Sequence, residues 1–338
     1  MSAATHTVPA ADLAHLVQSA IECAGASATN AASVARALVA AEIDGQSGHG
    51  LTRVASYAAQ VRAGKIHGQA TASATRTRSA ALAIDAAHGF AYPALDLAVD
   101  QLPAIARETG IAAAGITRSH HAGALGLVAE RLADAGLVAL MFANTPSAMA
   151  PWGGRSPLLG TNPIAFAVPC SGEPALVIDL ALSEVARGKI LAASRRGHAI
   201  PQGWANDKNG QPTTDATAAL GGSLLPFGGA KGAALALMVE LLAAAVTGSR
   251  LAHEASSFLD ADGAPPGTGQ LIIAIDASAL GGGDGLGGRV AALVQIIAGE
   301  AGARLPGSRR HRLRDAAARL GVTIDAELLA SVKALARA

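Results

Sequence analysis

The stretch GIAAAGITRSHHAGALGLVAERLADAGLVALMFA (residues 110–143) decides the fold class. It opens on GIAAAGIT, a short apolar run that reads as a strand. From about Ala124 to Ala135 the apolar residues recur at helical spacing, and LVALMFA then forms a second strand-like run. Strand, helix and strand in so short a span are the unit of an α/β domain. The pattern continues on both sides. AALAIDA (80–86), PIAFAVP (163–169), ALVIDL (175–180) and LIIAID (271–276) read as further strands. Helical spacing fills about Pro93 to Arg107 and Lys231 to Thr247. Pro- and Gly-rich loops between several strands argue against a regular βαβ array.

Upstream the character changes. Leu13, Leu16, Val17, Ala20 and Ile21 predict a helix stopped at Gly25, and Val34, Leu38, Val39 and Ile43 predict a second, ending near Asp44-Gly45. A third spans about Arg53 to Ala63, with Gly64 as its stop. The chain is therefore expected to divide into a wholly helical N-terminal lobe (residues 1–75), joined by helices from the basic tail (289–338), and an α/β domain (76–288).

Composition narrows the function. The 26 Lys+Arg and 25 Asp+Glu of the 338 residues leave a net charge of +1, too little bias to attract nucleic acid or an anionic membrane. Aromatics are only 3%, which leaves few platforms for stacking bases. Cys23 and Cys170 are too far apart in sequence for a disulfide framework or a metal knuckle, and are expected to be buried structural thiols. The start, MSAATHTVPAADLAHLVQSAIE, lacks the basic and apolar regions of a signal peptide. The longest apolar stretch, Ala233 to Val246, carries Glu240 and is too short for a bilayer. A cytoplasmic location is the expectation.

Two glycine motifs are set aside. Gly283-Asp284-Gly285-Leu286-Gly287-Gly288 satisfies GxGxxG, but Ala277 to Gly282 separates it from the preceding strand, and no acidic residue ends a following strand at the required distance. A connector is the simpler reading. The Gly-Lys-Ile triplets at 64–66 and 188–190 lack the Ser/Thr of a magnesium-binding phosphate loop. The ten histidines form neither HExxH nor a Cys/His cluster, so no metal is expected.

Other residues are better placed. His49 lies in a glycine-flanked turn with Arg53 one helical turn on, so an imidazole for proton transfer and a guanidinium for a carboxylate can share one pocket. A solvated turn histidine beside an exposed arginine is the competing reading. Ser119, His120 and His121 stand between a strand end and a helix mouth, where side chains reach a crevice and free N–H groups bind anions; a surface histidine pair is the alternative. Lys231 at a helix start opposes the helix dipole unless an anion shares the site, or extends into solvent. Asp179 at a strand end either orients a histidine or caps the following helix.

Seven segments, in order, resemble the type-2 malate/L-lactate dehydrogenase family of NAD(P)-dependent oxidoreductases: GHGLTRVASYAAQVRAGKI, SHHAGALGLVAERLADAGLVAL, APWGGRSPLLGTNPIAFAVP, VIDLALSEVARGKI, PQGWANDKNGQPTTD, LLPFGGAKGAALALMVELL and RLPGSRR. The resemblance implies a non-Rossmann α/β nicotinamide-binding fold, usually a homodimer with its site near the interface. It implies His49, Asp179 and His121 as catalytic, and Arg53, Tyr57 and Thr161 as substrate-binding. Ser119, His120, His121, Thr145, Asp179, Leu180, Ala181, Lys231, Pro306, Gly307, Ser308, Arg309 and Arg310 match cofactor-contacting positions. The family usually reads Ser-His-Gly where this chain has Gly48-His49-Gly50, so the hydroxyl beside the histidine is either displaced to Ser47 or missing.

LLPFGGAKGAALALMVELL looks like the branch that reduces the cyclic ketimines Δ1-pyrroline-2-carboxylate and Δ1-piperideine-2-carboxylate to L-proline and L-pipecolate. An NAD(P)-dependent (S)-2-hydroxy-acid dehydrogenase of malate/lactate type is the alternative, and a catalytically silent nucleotide-binding relative a third reading. Arg309 and Arg310 can pair with a 2′-phosphate, which favours NADP(H) over NAD(H). The expected partner is a small-molecule carboxylate.

Overall fold

The computed structural model describes residues 4–337, so the first three residues of the segment read as lacking a leader lie outside it. The chain opens with strand β1 (Thr5–Val8) and helices α1 (Ala10–Cys23) and α2 (Ala28–Ile43). Two 3-10 turns, Ser47–His49 and Leu51–Arg53, lead into α3 (Val54–Arg62). Then come β2 (Ser73–Arg78), β3 (Ala81–Asp85), α4 (Ala91–Thr109), β4 (Ile111–Ser119), α5 (Leu125–Asp134), β5 (Val138–Ala143), β6 (Ile164–Val168) and β7 (Leu176–Leu180). An insertion carries α6 (Arg187–Arg195), β8 (Ala205–Asn206), β9 (Pro212–Thr213), α7 (Ala216–Leu220) and β10 (Ser223–Leu224). The chain ends with α8 (Ala230–Glu240), β11 (Thr268–Ile275), α9 (Leu286–Gly299), α10 (Ser308–Leu320), β12 (Val322–Asp325) and α11 (Ala326–Leu335).

Seven strands form the main sheet in the order β2-β3-β4-β11-β5-β6-β7. Only β3 and β4 pair in parallel; the other neighbours are antiparallel. This is not the parallel, doubly wound sheet of a dinucleotide-binding βαβ fold. Alternation along the strands separates two cores. Ala139 and Met141 of β5 and Ile272 and Ala274 of β11 face a core shared with α1 to α5, while Phe142 and Leu271 face a second core with α8 and the insertion. Alanines such as Ala112, Ala114, Ala165 and Ala167 are fully buried, so the helices come close where aromatic bulk is scarce.

Several expectations change. The N-terminal lobe is not wholly helical, nor is the tail: β1 pairs antiparallel with β12, from Thr5 opposite Asp325 to Val8 opposite Val322. The sheet begins at Ser73, before the sequence pattern turns strand-like. The Lys231–Thr247 helix keeps α geometry only to Glu240 and continues as a π turn over Leu241–Ala245. The glycine run is no simple connector: it forms a 3-10 turn at Gly283–Gly285, and Gly287 and Gly288 lie in the first turn of α9. The cysteines are not buried: Cys23 is exposed and Cys170 half-buried. Among the described residues no helix is long and apolar enough to cross a membrane.

Candidate functional site

The 3-10 turns after α2 place His49 and Arg53. An added Cβ at Gly50 between them would fall 2.1 Å from Glu42 Oε2, the atom that accepts a hydrogen bond from Leu51 N at 2.8 Å, so a side chain there would displace that carboxylate. Arg53 is half-buried and its Nε donates to Gly48 O at 2.7 Å, which leaves its terminal nitrogens for another acceptor. Tyr57, which the resemblance puts beside the substrate, is fully buried; its hydroxyl lies 2.6 Å from His121 Nδ1 and 3.1 Å from the Tyr92 hydroxyl.

At the end of β4 the backbone turns through Arg118, a non-glycine residue at φ 49°, and delivers Ser119, His120 and His121 into the interior. They are not a surface pair. His121 stacks on His49, with ring centroids 5.2 Å apart and planes 13° from parallel. His120 Nε2 donates to Gln60 Oε1 at 2.7 Å, and both His120 and His121 pack on Phe258. Burial disfavours the charged imidazoles, and the Arg53 cation adds to this. His49 is pushed down to about 4 and His120 to about 3, where Lys65 contributes too, and His121 lies well below its ordinary value. Three neutral histidines therefore face one arginine. His49 Nδ1, His120 Nδ1 and Ser119 Oγ are buried without hydrogen-bond partners.

A second group gathers beside the first. Asp179, Leu180, Pro306, Gly307, Arg309 and Arg310 line one cavity of about 370 Å³ with Asp44 and Gln46. Gly307, at φ 85°, precedes the N-terminus of α10. The Arg310 side chain is 9% exposed, yet its Nε and Nη2 have no hydrogen-bond partner; Asp44 Oδ2 is 3.8 Å away. Such a guanidinium calls for an anion. Asp179 does not cap the helix that follows it: its carboxylate accepts from Gly126 N at 2.9 Å, capping the start of α5. The Gln46 side chain also donates to it, and burial raises its pKa. Neither bond reaches His49, whose backbone N donates instead to Gln46 O at 2.7 Å. Gln46 thus joins the two groups.

The third group is the Thr145–Thr161 pair. Thr145 Oγ1 accepts from Thr161 N at 2.9 Å, and Gly160 permits this approach, since a Cβ there would sit 2.3 Å from Thr145 O. Behind the pair, the buried Glu240 accepts from Asn162 Nδ2 at 2.7 Å, Asn144 Nδ2 at 3.2 Å and Ala252 N at 2.6 Å. Lys231 stands exposed on the first turn of α8, and Ala181 and Ser308 are exposed beside the cavity.

Gln60, Tyr92, Phe258 and Glu240 escaped the sequence reading. Gln60 had a signal, a polar residue three places after Tyr57 on the buried face of α3, and so did Glu240, a charge within an apolar run. Tyr92 and Phe258 gave none.

The family model for malate/L-lactate dehydrogenase matches residues 8–333. The (2R)-3-sulfolactate dehydrogenase (NADP(+)) of Chromohalobacter salexigens is 49% identical over 299 residues, covering 88% of this chain and 89% of the relative. The Δ1-pyrroline-2-carboxylate/Δ1-piperideine-2-carboxylate reductase of Pseudomonas putida is 41% identical over 333 residues, covering 97% and 96%. The crystal structure of Δ1-piperideine-2-carboxylate reductase from Pseudomonas syringae pv. tomato superposes with a TM-score of 0.93 at 38% identity, covering 98% of this chain and 99% of that one. With matches that run almost end to end, the chain belongs to the malate/L-lactate dehydrogenase family and is an oxidoreductase.

Proposed function

We propose that the protein reduces a small cyclic ketimine carboxylate, Δ1-pyrroline-2-carboxylate or Δ1-piperideine-2-carboxylate, with NADPH. The observation that carries this reading is the stacked His49–His121 pair beside Arg53. A bound reduced nicotinamide supplies the hydride. Arg53 holds the substrate carboxylate, and a histidine of the pair passes a proton to the adjacent heteroatom. The cofactor fits the second group: its phosphates suit the unpartnered nitrogens of Arg310, Arg309 and the α10 N-terminus, a basic set that favours NADP(H). Ser119, His120, Thr145, Leu180, Ala181, Lys231 and the Pro306–Ser308 segment are assigned to the same cofactor, Thr161 to the substrate, and Asp179 to holding this wall in place.

Near end-to-end similarity to ketimine reductases supports the imine substrate. A 2-hydroxy-acid dehydrogenase is the second reading, favoured by the 49% identity to a sulfolactate dehydrogenase. The experiment supplies NADPH or NADH with Δ1-pyrroline-2-carboxylate, Δ1-piperideine-2-carboxylate, 3-sulfopyruvate, pyruvate and oxaloacetate in turn, following loss of reduced nicotinamide. Turnover of oxo acids alone replaces the imine reading with the second one.

Arg53→Lys separates the clamp from the chemistry. Losing the two-pronged contact is expected to raise KM for the carboxylate about tenfold and change kcat much less. Steady-state kinetics check this; an unchanged KM places the carboxylate elsewhere.

A second copy of the chain is proposed to cover α9 and the outer side of α8. No residue of α9 is buried, although it is strongly apolar; Leu293 is 54% and Ile296 71% exposed, and Leu237 and Met238 on α8 and Leu241 just after it are exposed too. Light scattering is expected to give twice the mass of one chain, and Ile296→Asp to shift it toward one.

A further inference from the structure

The buried histidines pose a problem of supply. Burial, with the Arg53 cation beside them, keeps the His49 and His121 imidazoles from storing a proton. A proton consumed at the substrate has to arrive from elsewhere. Behind His121 the structure holds a chain that leads away from the site. His121 Nδ1 is 2.6 Å from the Tyr57 hydroxyl, which is 3.1 Å from the Tyr92 hydroxyl. Tyr57 is fully buried and Tyr92 nearly so.

Tyr92 also lines a separate cavity of about 200 Å³ between α2, α4 and α5. Asp96, Glu130 and Asp134 lie in its wall. Asp96 is committed to Arg36 and Arg131, and Glu130 to Arg314. Asp134 has no such cation bound to it among the described residues; burial, with Glu130 nearby, holds its carboxyl above the ordinary range. The lining is mostly apolar, but the cavity opens to solvent and the exposed Arg36 and Asp134 lie in its wall, so water reaches it.

We propose that Tyr57 and Tyr92 form a proton relay joining His121 to this second cavity, so that the proton of the reaction enters from behind the site. The proposal rests on the oxidoreductase reading above, with His121 as the group that meets the substrate heteroatom. In reduction, His121 Nε2 releases its proton to the heteroatom as Nδ1 takes one from Tyr57. The Tyr57 oxygen takes the proton of Tyr92, and the Tyr92 oxygen takes one from water in the cavity. Asp134 and bulk solvent restore that water. One proton moves from solvent to substrate, no tyrosine becomes charged, and the chain resets by rotation of the hydroxyls and tautomer exchange of the ring. Oxidation runs the same path outward. Neutral imidazoles suit this role, because His121 passes a proton on without holding an extra one.

Tyr92→Phe tests the relay, since it keeps the ring and removes only the hydroxyl. The expected result is a kcat about tenfold lower, with KM for substrate and Kd for NADPH unchanged. The dependence of kcat on the D2O fraction is expected to be curved in the parent, where several protons move together, and linear in the variant. Ala40→Leu, which fills the cavity and leaves both hydroxyls in place, is expected to slow turnover in the same way and serves if Tyr92→Phe fails to fold. Unchanged kcat and an unchanged D2O profile in both variants overturn the relay. A readout free of turnover comes from the ¹⁵N spectrum of ring-labelled His121. Tyr57→Phe is expected to shift Nδ1 toward its unbonded position, and Tyr92→Phe to shift it less in the same direction. A His121 signal indifferent to both overturns the chain whatever the substrate. A parent protein that turns over no substrate while its His121 signal responds overturns the function reading and leaves the hydrogen-bonded chain standing.

Discussion

Between pH 6.5 and about 4 the protein is expected to lose stability steeply, by about 1.4 kcal/mol per pH unit for each buried histidine that stays neutral when folded. Three do so. His49 has a folded pKa of about 4, His120 of about 3, and His121 one well below the ordinary value of 6.5. The sign follows from which state binds more protons. In this window the unfolded chain charges its histidines and the folded chain does not, so acid favours unfolding. The stability is fully present above pH 6.5 and falls as pH approaches the folded values. The charged groups acting on the three rings are the cations Arg53 and Lys65, so no carboxylate relieves the effect. Asp179 and Asp134, both raised by burial, act in the opposite sense over the carboxylate range and are two groups against three. Urea titrations at pH 7.5, 6, 5 and 4.5 measure the slope, and His121→Gln is expected to lower it by one proton's worth. A stability constant from pH 7 to 4.5 would show that the rings are solvated or paired.

The histidine cluster also marks how far the site could be read in sequence. His49, Arg53, His120 and His121 carried local signals, a glycine-flanked turn and a strand end before a helix mouth, and the fold brings them together. Helices with apolar spacing and glycine stops, such as α1 with Leu13, Val17, Ala20 and Ile21 buried, lie where the pattern puts them. The rest depends on contacts distant in sequence. β1 and β12 are four-residue strands from the two ends of the chain; β1 is almost wholly exposed, and the alternation of β12, with Val322 and Ile324 buried, is too short to mark a strand by itself. Tyr92 and Phe258 join the site only because α4 and the loop before β11 are folded against it. Asp179 was legible as a strand-end carboxylate, but its partner Gly126 lies 53 positions earlier, where no capping rule would look. Lys65, whose Gly-Lys-Ile triplet lacks the hydroxyl of a phosphate loop, is buried, its ammonium bound by the side chain of Asp260 and by the carbonyls of Asp260 and Asp262.

Arg314→Ala is expected to cost about 3 kcal/mol of stability and to weaken NADPH binding without touching the cavity itself. Arg314 lies on α10, the helix whose first turn carries Arg309 and Arg310. Its guanidinium grips two carboxylates at once. Nε and Nη2 donate to Asp44 at 2.6 and 2.8 Å, and Nη1 and Nη2 donate to Glu130 at 2.8 and 2.7 Å. Asp44 ends α2 and Glu130 lies on α5, so one side chain ties the segment proposed to hold the nucleotide to helices α2 and α5. Removing it leaves two buried carboxylates facing each other with, among the described residues, only the more distant Arg310 paired to either of them, at 3.8 Å from Asp44. Arg310 would then be drawn toward Asp44 and away from a bound anion. Denaturant titration and NADPH titration of the same variant measure the two effects. The triple variant Arg314→Met with Asp44→Asn and Glu130→Gln removes the stranded charges, and is expected to recover most of the stability but not the full cofactor affinity. Recovery of both would mean that the ion network serves the fold alone; a single variant as stable as the parent would mean that solvent replaces the guanidinium at no cost.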